Sequence, residues 1–224
     1  MKKTTTIELN ANFINEIKNM DLRDEVLEWA IGSNYKTQQE AWNDCRYGEA
    51  MAWYLAKPIT KHGSPEHRHL VLALHEIAKL VKKYIPANKH LPQAVFEKTE
   101  AWIHGCRGIT WKNVKKARNA AYSNIDPGTD KDNTTSAICS ICYAADVVDY
   151  SRYRYMVYAA RDTVSRAAQA AYITAFQDFY PVYEQHYDDV AFVVANKAWG
   201  LSSHASANIL RSHYPNPPRR DKRH

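Results

Sequence analysis

The chain has 224 residues, a formal net charge of +6 and an apolar content of 45%, which suits one substantial core or at most two small domains. With only 7 glycines and 9 prolines, it lacks the turn residues of a many-stranded β fold. The basic balance excludes mimicry of a nucleic acid and leaves nucleic-acid and acidic-protein partners open.

The amino terminus, Met1-Lys2-Lys3-Thr4-Thr5-Thr6, is basic but no apolar segment comes after it, so a signal peptide is not expected. Phe13, Ile14 and Ile17 begin an apolar helical face, which Leu22, Val26, Leu27 and Trp29 continue after a cap at Asp21. Thr37-Gln38-Gln39-Glu40 has the form of a capping box and opens a helix holding Trp42. From Ala41 to Lys57 the chain carries its densest set of unusual residues. Trp42, Cys45, Glu49 and Ala52/Trp53 fall at steps of three and four, which is one face of an unbroken helix. Gly48 marks a break equally well, with Asp44 as the cap of a second helix.

Ser64-Pro65-Glu66 is a strong helix start: a capping hydroxyl, proline at the first helical position, and an acid at the positive dipole end. The helix repeats at Leu70, Leu74, Ile77, Val81 and Tyr84, carries Lys79, Lys82 and Lys83 on its other face, and has Pro86 beyond its end. Pro92 opens another through Val95, Phe96, Thr99, Trp102 and Ile103, ended by Gly105 and Gly108; Thr110 then caps a segment with Trp111, Val114 and Ala117 on one side. Asp126 to Asn133 is the clearest loop, either a division between two halves or a long connection within one domain. Alanine and tyrosine dominate from Thr134 to Gln177, where small residues let helix axes approach closely. Val190 to Trp199 reads as a helix more readily than a strand, and Ser203 to Tyr214 as the last helix. No alternating run places a sheet. The expected fold is all-α, a single bundle of roughly nine to eleven helices over residues 1–214, with 215–224 as a disordered basic tail. The longest apolar stretch, Val190 to Ala195, is far short of the roughly 20 residues that span a bilayer. A cytoplasmic protein without membrane contact is expected.

Chemistry-bearing residues are sparse. Cys45, Cys106, Cys139 and Cys142 fit a reducing compartment, and Cys139-x-x-Cys142 has no second ligand pair at zinc-site spacing, so core cysteines are expected. His62, His67, His69, His75 and Glu76 cluster in sequence, but His67 and His69 are two apart on a helix and point apart. His75 adjoins the Leu74/Ile77 face, which favours a satisfied core histidine. No metal site, cofactor site or catalytic residue is nominated. Phosphate-binding loops and the nucleophile elbow are absent, and Asp188-Asp189 and Asp21/Asp24/Glu25 read as helix-start charges. An enzyme is not expected. Two stretches suit nucleic acid: Trp111, Lys112, Lys115, Lys116 and Arg118, and the tyrosine-interleaved Arg152 and Arg154. The alternatives are a solvated helix face for the first and, for the second, arginines paired with Asp146, Asp149 or Asp162.

Trp42-Asn43-Asp44-Cys45-Arg46-Tyr47-Gly48-Glu49, then Met51, Trp53 and Leu55-Ala56-Lys57, resembles the opening signature of a family of small helical proteins labelled immunity proteins. These occur beside bacterial polymorphic toxins and in phage genomes. The Leu70 to Val81 helix and the alanine- and tyrosine-rich Thr134 to Phe176 resemble the rest of the family pattern. Glu49 stands where the family usually has aspartate, and the tyrosine-arginine cluster and basic tail are particular to this chain. The resemblance implies an all-α protein that binds and neutralises another protein without chemistry, the partner being a toxin, a host component or a defence component. It makes Trp42, Arg46, Glu49 and Trp53 the partner-binding corner. The alternative is that both tryptophans are core and Arg46–Glu49 is a local ion pair. Positive charge disfavours a basic nuclease as the partner and favours an acidic surface. The second functional reading is a nucleic-acid-binding accessory protein. The Ala159 to Ala171 face suits packing within the chain or across a homo-oligomer.

Overall fold

The computed structural model describes residues 24–32, 35, 37–59, 61–125, 132–149, 153–179 and 188–217. Among them the chain forms nine α-helices and one 3-10 turn, and no strand. The helices are α1 (Asp24–Gly32), α2 (Gln38–Asp44), α3 (Gly48–Ala56), α4 (Pro65–Lys79), α5 (His90–Ile103), α6 (Trp111–Tyr122), α7 (Asn133–Asp146), α8 (Tyr153–Phe179) and α9 (Asp188–His213). The 3-10 turn, Lys82–Tyr84, comes after α4.

Local sequence explains most of these starts and stops. The Thr37 hydroxyl accepts the Glu40 amide at 3.1 Å and begins α2. Ser64 does the same for His67 at 3.2 Å, with Pro65 at the first position of α4. The Thr110 amide donates to the Asn113 side chain at 2.8 Å ahead of α6. Asp132 accepts from the Thr135 amide at 2.7 Å and begins α7. Gly105 and Gly108 take positive φ (67° and 81°) in the turn between α5 and α6, a conformation open to glycine.

Of the two readings of the Trp42 and Trp53 segment, the break holds: it is two helices, because the backbone leaves helical geometry at Cys45. Two expectations change. Asp44 does not cap the second; Tyr47 occupies the N-cap without a side-chain bond, and Asp44 accepts from the Tyr35 hydroxyl instead. Val190–Trp199 and Ser203–Tyr214 are parts of one 26-residue helix, with Gly200 inside it. Among the described residues a Cβ at Gly200 would meet nothing within 4 Å, so this glycine costs intrinsic propensity without needing a turn. Phe13, Ile14, Ile17, Asp21 and Leu22 lie outside the described residues, as do residues 218–224 of the tail. At the tail's beginning, the Pro215 carbonyl accepts from Gln39 Nε2 at 3.0 Å.

Helix α8 packs on α3, α4, α7 and α9. Its Ala159, Ala160, Ala167, Ala168 and Ala170 are buried, as are Ala144 and Ala145 of α7. The absence of bulk on these faces lets the axes draw close. The main core runs from Trp42 to Leu210 and takes residues from both sides of 126–131. A smaller cluster of Val26, Ala30 and Ala50 fastens α1 to α3. Among the described residues, no helix is long and apolar enough to cross a membrane.

Candidate functional site

The corner between α2 and α3 is where two distant parts of the sequence are joined. The Gly48 amide donates to Ser203 Oγ at 3.1 Å. That hydroxyl in turn donates to Glu49 Oε2 at 2.6 Å. Trp42 Nε1 donates to the Tyr214 carbonyl at 2.9 Å. Arg211, near the end of α9, donates to the carbonyls of Trp42 and Cys45 where α2 terminates, satisfying acceptors that a helix end leaves open.

These bonds decide the standing of the corner residues. Trp42 and Glu49 are each only 2% exposed, so neither offers a side chain to a partner. An indole N–H and a carboxylate are costly to bury unpaired, and here each has its partner. Trp53 is half-buried against the core with the Lys57 ammonium 4.7 Å from its ring centroid. Arg46 is exposed, its guanidinium 5.5 Å from the Tyr47 ring centroid. Cys45 is buried, and burial pushes its thiol up to about 12, which makes it an inert core thiol.

Arg46 opens onto a cleft of about 640 Å³, within the size range of ligand-binding clefts. The exposed Glu25 and Glu28 of α1 line one side, with Trp29 and Tyr47 beside them; Lys197, Trp199 and His204 of α9 line the other. Glu49 and Ser203 form part of its lining at the joint. Trp29 and Tyr47 pack edge to face at 5.6 Å, and the Tyr47 hydroxyl donates to the Glu25 carbonyl at 3.2 Å. Trp199 packs against Tyr172 of α8 at 6.4 Å. Fixed aromatic walls with carboxylates on one side and cations on the other suit recognition of a mixed-charge surface by stacking and paired charge. Of the four corner residues, Arg46 and Glu49 reach this cleft, and Trp29, Tyr47, Lys197, Trp199 and His204 join them from elsewhere.

The basic stretch on α6 is partly spent on internal pairs. Arg118 pairs with the buried Asp146, and Lys115 Nζ lies 2.8 Å from Asp149 Oδ2. Burial outweighs Arg118 and lifts the Asp146 carboxyl to about 6. Lys112 and Lys116 are exposed, and Lys112 and Lys115 place their ammonium groups 5.9 and 5.4 Å from the Trp111 ring centroid. Arg118 is thus a structural cation, not a free phosphate contact. Arg152 and the side chain of Arg154 lie outside the described residues.

Cys139 and Cys142 are buried thiols on α7. His67 is buried and accepts the Gly63 amide at Nδ1 (2.9 Å), so its Nε2–H donates to the Val147 carbonyl at 2.7 Å. His75 is buried too, but among the described residues its Nε2 has no hydrogen-bond partner, which departs from the expected satisfied histidine. It packs edge to face on Phe96 at 5.2 Å, and burial pulls its imidazole down to about 4. Searches of protein-family models, curated proteins and solved structures return no match to the chain.

Proposed function

We propose that the chain is a non-catalytic binding protein of the immunity or phage anti-defence type, which neutralises or modulates a protein partner docked at the cleft beside Arg46. The observation that carries this reading is the meeting of Trp29, Tyr47, Trp199, Arg46 and Lys197 around one open cleft that Glu25 and Glu28 also line. Tryptophan, tyrosine and arginine are the side chains that dominate binding energy at protein interfaces. The resemblance of the Trp42 to Lys57 corner to immunity proteins supplies the class. Within that reading, the corner residues Trp42 and Glu49 hold the cleft's two walls together, and Arg46 meets the partner.

The test is affinity capture from nuclease-treated host lysate, using the full chain and an Arg46→Glu/Lys197→Glu variant. The reading expects one stoichiometric protein that resists moderate salt and is lost from the variant. The alternative, a nucleic-acid-binding accessory protein, rests on the exposed Lys112 and Lys116 of α6, the Lys112 ammonium lying 5.9 Å from the Trp111 ring centroid. It expects recovery of nucleic acid with steep salt dependence, removed by Lys112→Glu/Lys116→Glu.

A further inference from the structure

At the far end of α9, His213 returns to α4 and meets a second histidine. His69 Nε2 and His213 Nδ1 face each other at 3.1 Å. His213 Nε2 lies 2.9 Å from Glu76 Oε2. A carboxylate can only accept, so a neutral His213 carries its proton on Nε2 and directs the lone pair of Nδ1 at His69. The His69 ring is held between two others. Its centroid lies 4.8 Å from that of Tyr214 and 5.1 Å from that of His213. His69 is exposed, so the pair is open to solvent on that side.

We propose that His69 and His213 form a two-histidine site for a divalent cation of the zinc, nickel or copper class, bridging α4 to the end of α9. Two imidazole nitrogens on one tetrahedral zinc, each about 2.0–2.1 Å from it, lie roughly 3.3 Å apart. The nitrogens here are already at nearly that spacing, so a cation replaces the proton they share. His69 moves that proton from Nε2 to Nδ1, and no net proton is lost. Glu76 supplies the carboxylate that orients a ligating histidine from its far nitrogen. Among the described residues no three His, Cys, Asp or Glu side chains converge, so water takes the remaining positions. Imidazole ligands select this cation class over magnesium and calcium.

The experiment is calorimetric titration of the full chain with Zn²⁺ alone, with the thermal midpoint tracked in parallel. One equivalent should bind and raise the midpoint. His69→Ala and His213→Ala should each lose that equivalent, and Glu76→Gln should weaken it by about 10- to 100-fold. Mg²⁺ should leave the midpoint unmoved. Should His213→Ala fail to fold, the exposed His69→Ala decides alone. The proposal is overturned if the wild type binds no equivalent, if His69→Ala retains it in full, or if Mg²⁺ shifts the midpoint equally.

Discussion

Gly48 lies against Ser203 so closely that its amide donates to the serine hydroxyl at 3.1 Å, and a Cβ on it would stand 2.9 Å from the Ser203 carbonyl oxygen. The contact joins the start of α3 to the middle of α9, 155 residues away in sequence. Glycine at this corner is therefore a requirement of helix approach.

Gly48→Ala should overpack this joint, because the same Cβ also meets Ser206 Cβ at 2.8 Å, and should cost about 1–3 kcal/mol. Gly200→Ala is the matched control. Its Cβ meets nothing within 4 Å, and it should stabilise α9 by roughly 0.5–1 kcal/mol. Denaturant unfolding of the two variants reads both signs in one series.

Ser203→Ala removes a donor from the buried Glu49 carboxylate and should cost about 1–3 kcal/mol. Trp42→Phe removes the indole donor to Tyr214 and should cost about 1 kcal/mol. Equilibrium unfolding should show both losses, and an unchanged midpoint in either would mean that its bond contributes nothing.

Arg118 tests whether the α6 cations are structural. Arg118→Met leaves Asp146 buried without its cation and should cost about 3–5 kcal/mol at pH 8. The loss should shrink at pH 5, because Asp146, already lifted to about 6 beside Arg118, is neutralised by a proton there. Lys116→Ala, at an exposed position, should stay within about 0.5 kcal/mol at both pH values.

His75 predicts acid sensitivity. Its imidazole is held at about 4 in the folded chain against 6.5 ordinarily, so between those values the unfolded chain binds more protons and stability rises with pH. Relative to His75→Leu, the wild type should lose on the order of 3 kcal/mol as pH falls from 7 to 4. A pH series of denaturant midpoints for the two proteins measures the difference, and parallel curves would contradict the assignment.

Helix starts were the most legible part of this sequence, because capping is local. Thr37, Ser64 and Thr110 each sit within three residues of the group they bond or meet. The continuity of α9 through Gly200 was not legible, since a glycine inside a helix looks the same in sequence as one that ends it. The corner residues were legible as unusual but not as buried. The acceptor for Trp42 is 172 residues away and the donor to Glu49 is 154 away, and no spacing rule reaches that far. The cleft was hidden for the same reason, since Trp29 and Trp199 meet across it from opposite ends of the chain. Trp199, an indole beside a helical glycine, was the available signal.

Docking at the Arg46 cleft is tested by comparing three proteins for binding to one captured protein partner: wild type, Arg46→Glu and Lys112→Glu/Lys116→Glu. All three should fold with the same stability within about 0.5 kcal/mol, since every changed side chain is exposed. Arg46→Glu should weaken binding by about 30-fold or more, the loss of an interface anchor, while the α6 double variant should bind like wild type. Equal affinity for wild type and Arg46→Glu, or loss confined to the α6 variant, would contradict docking at this cleft.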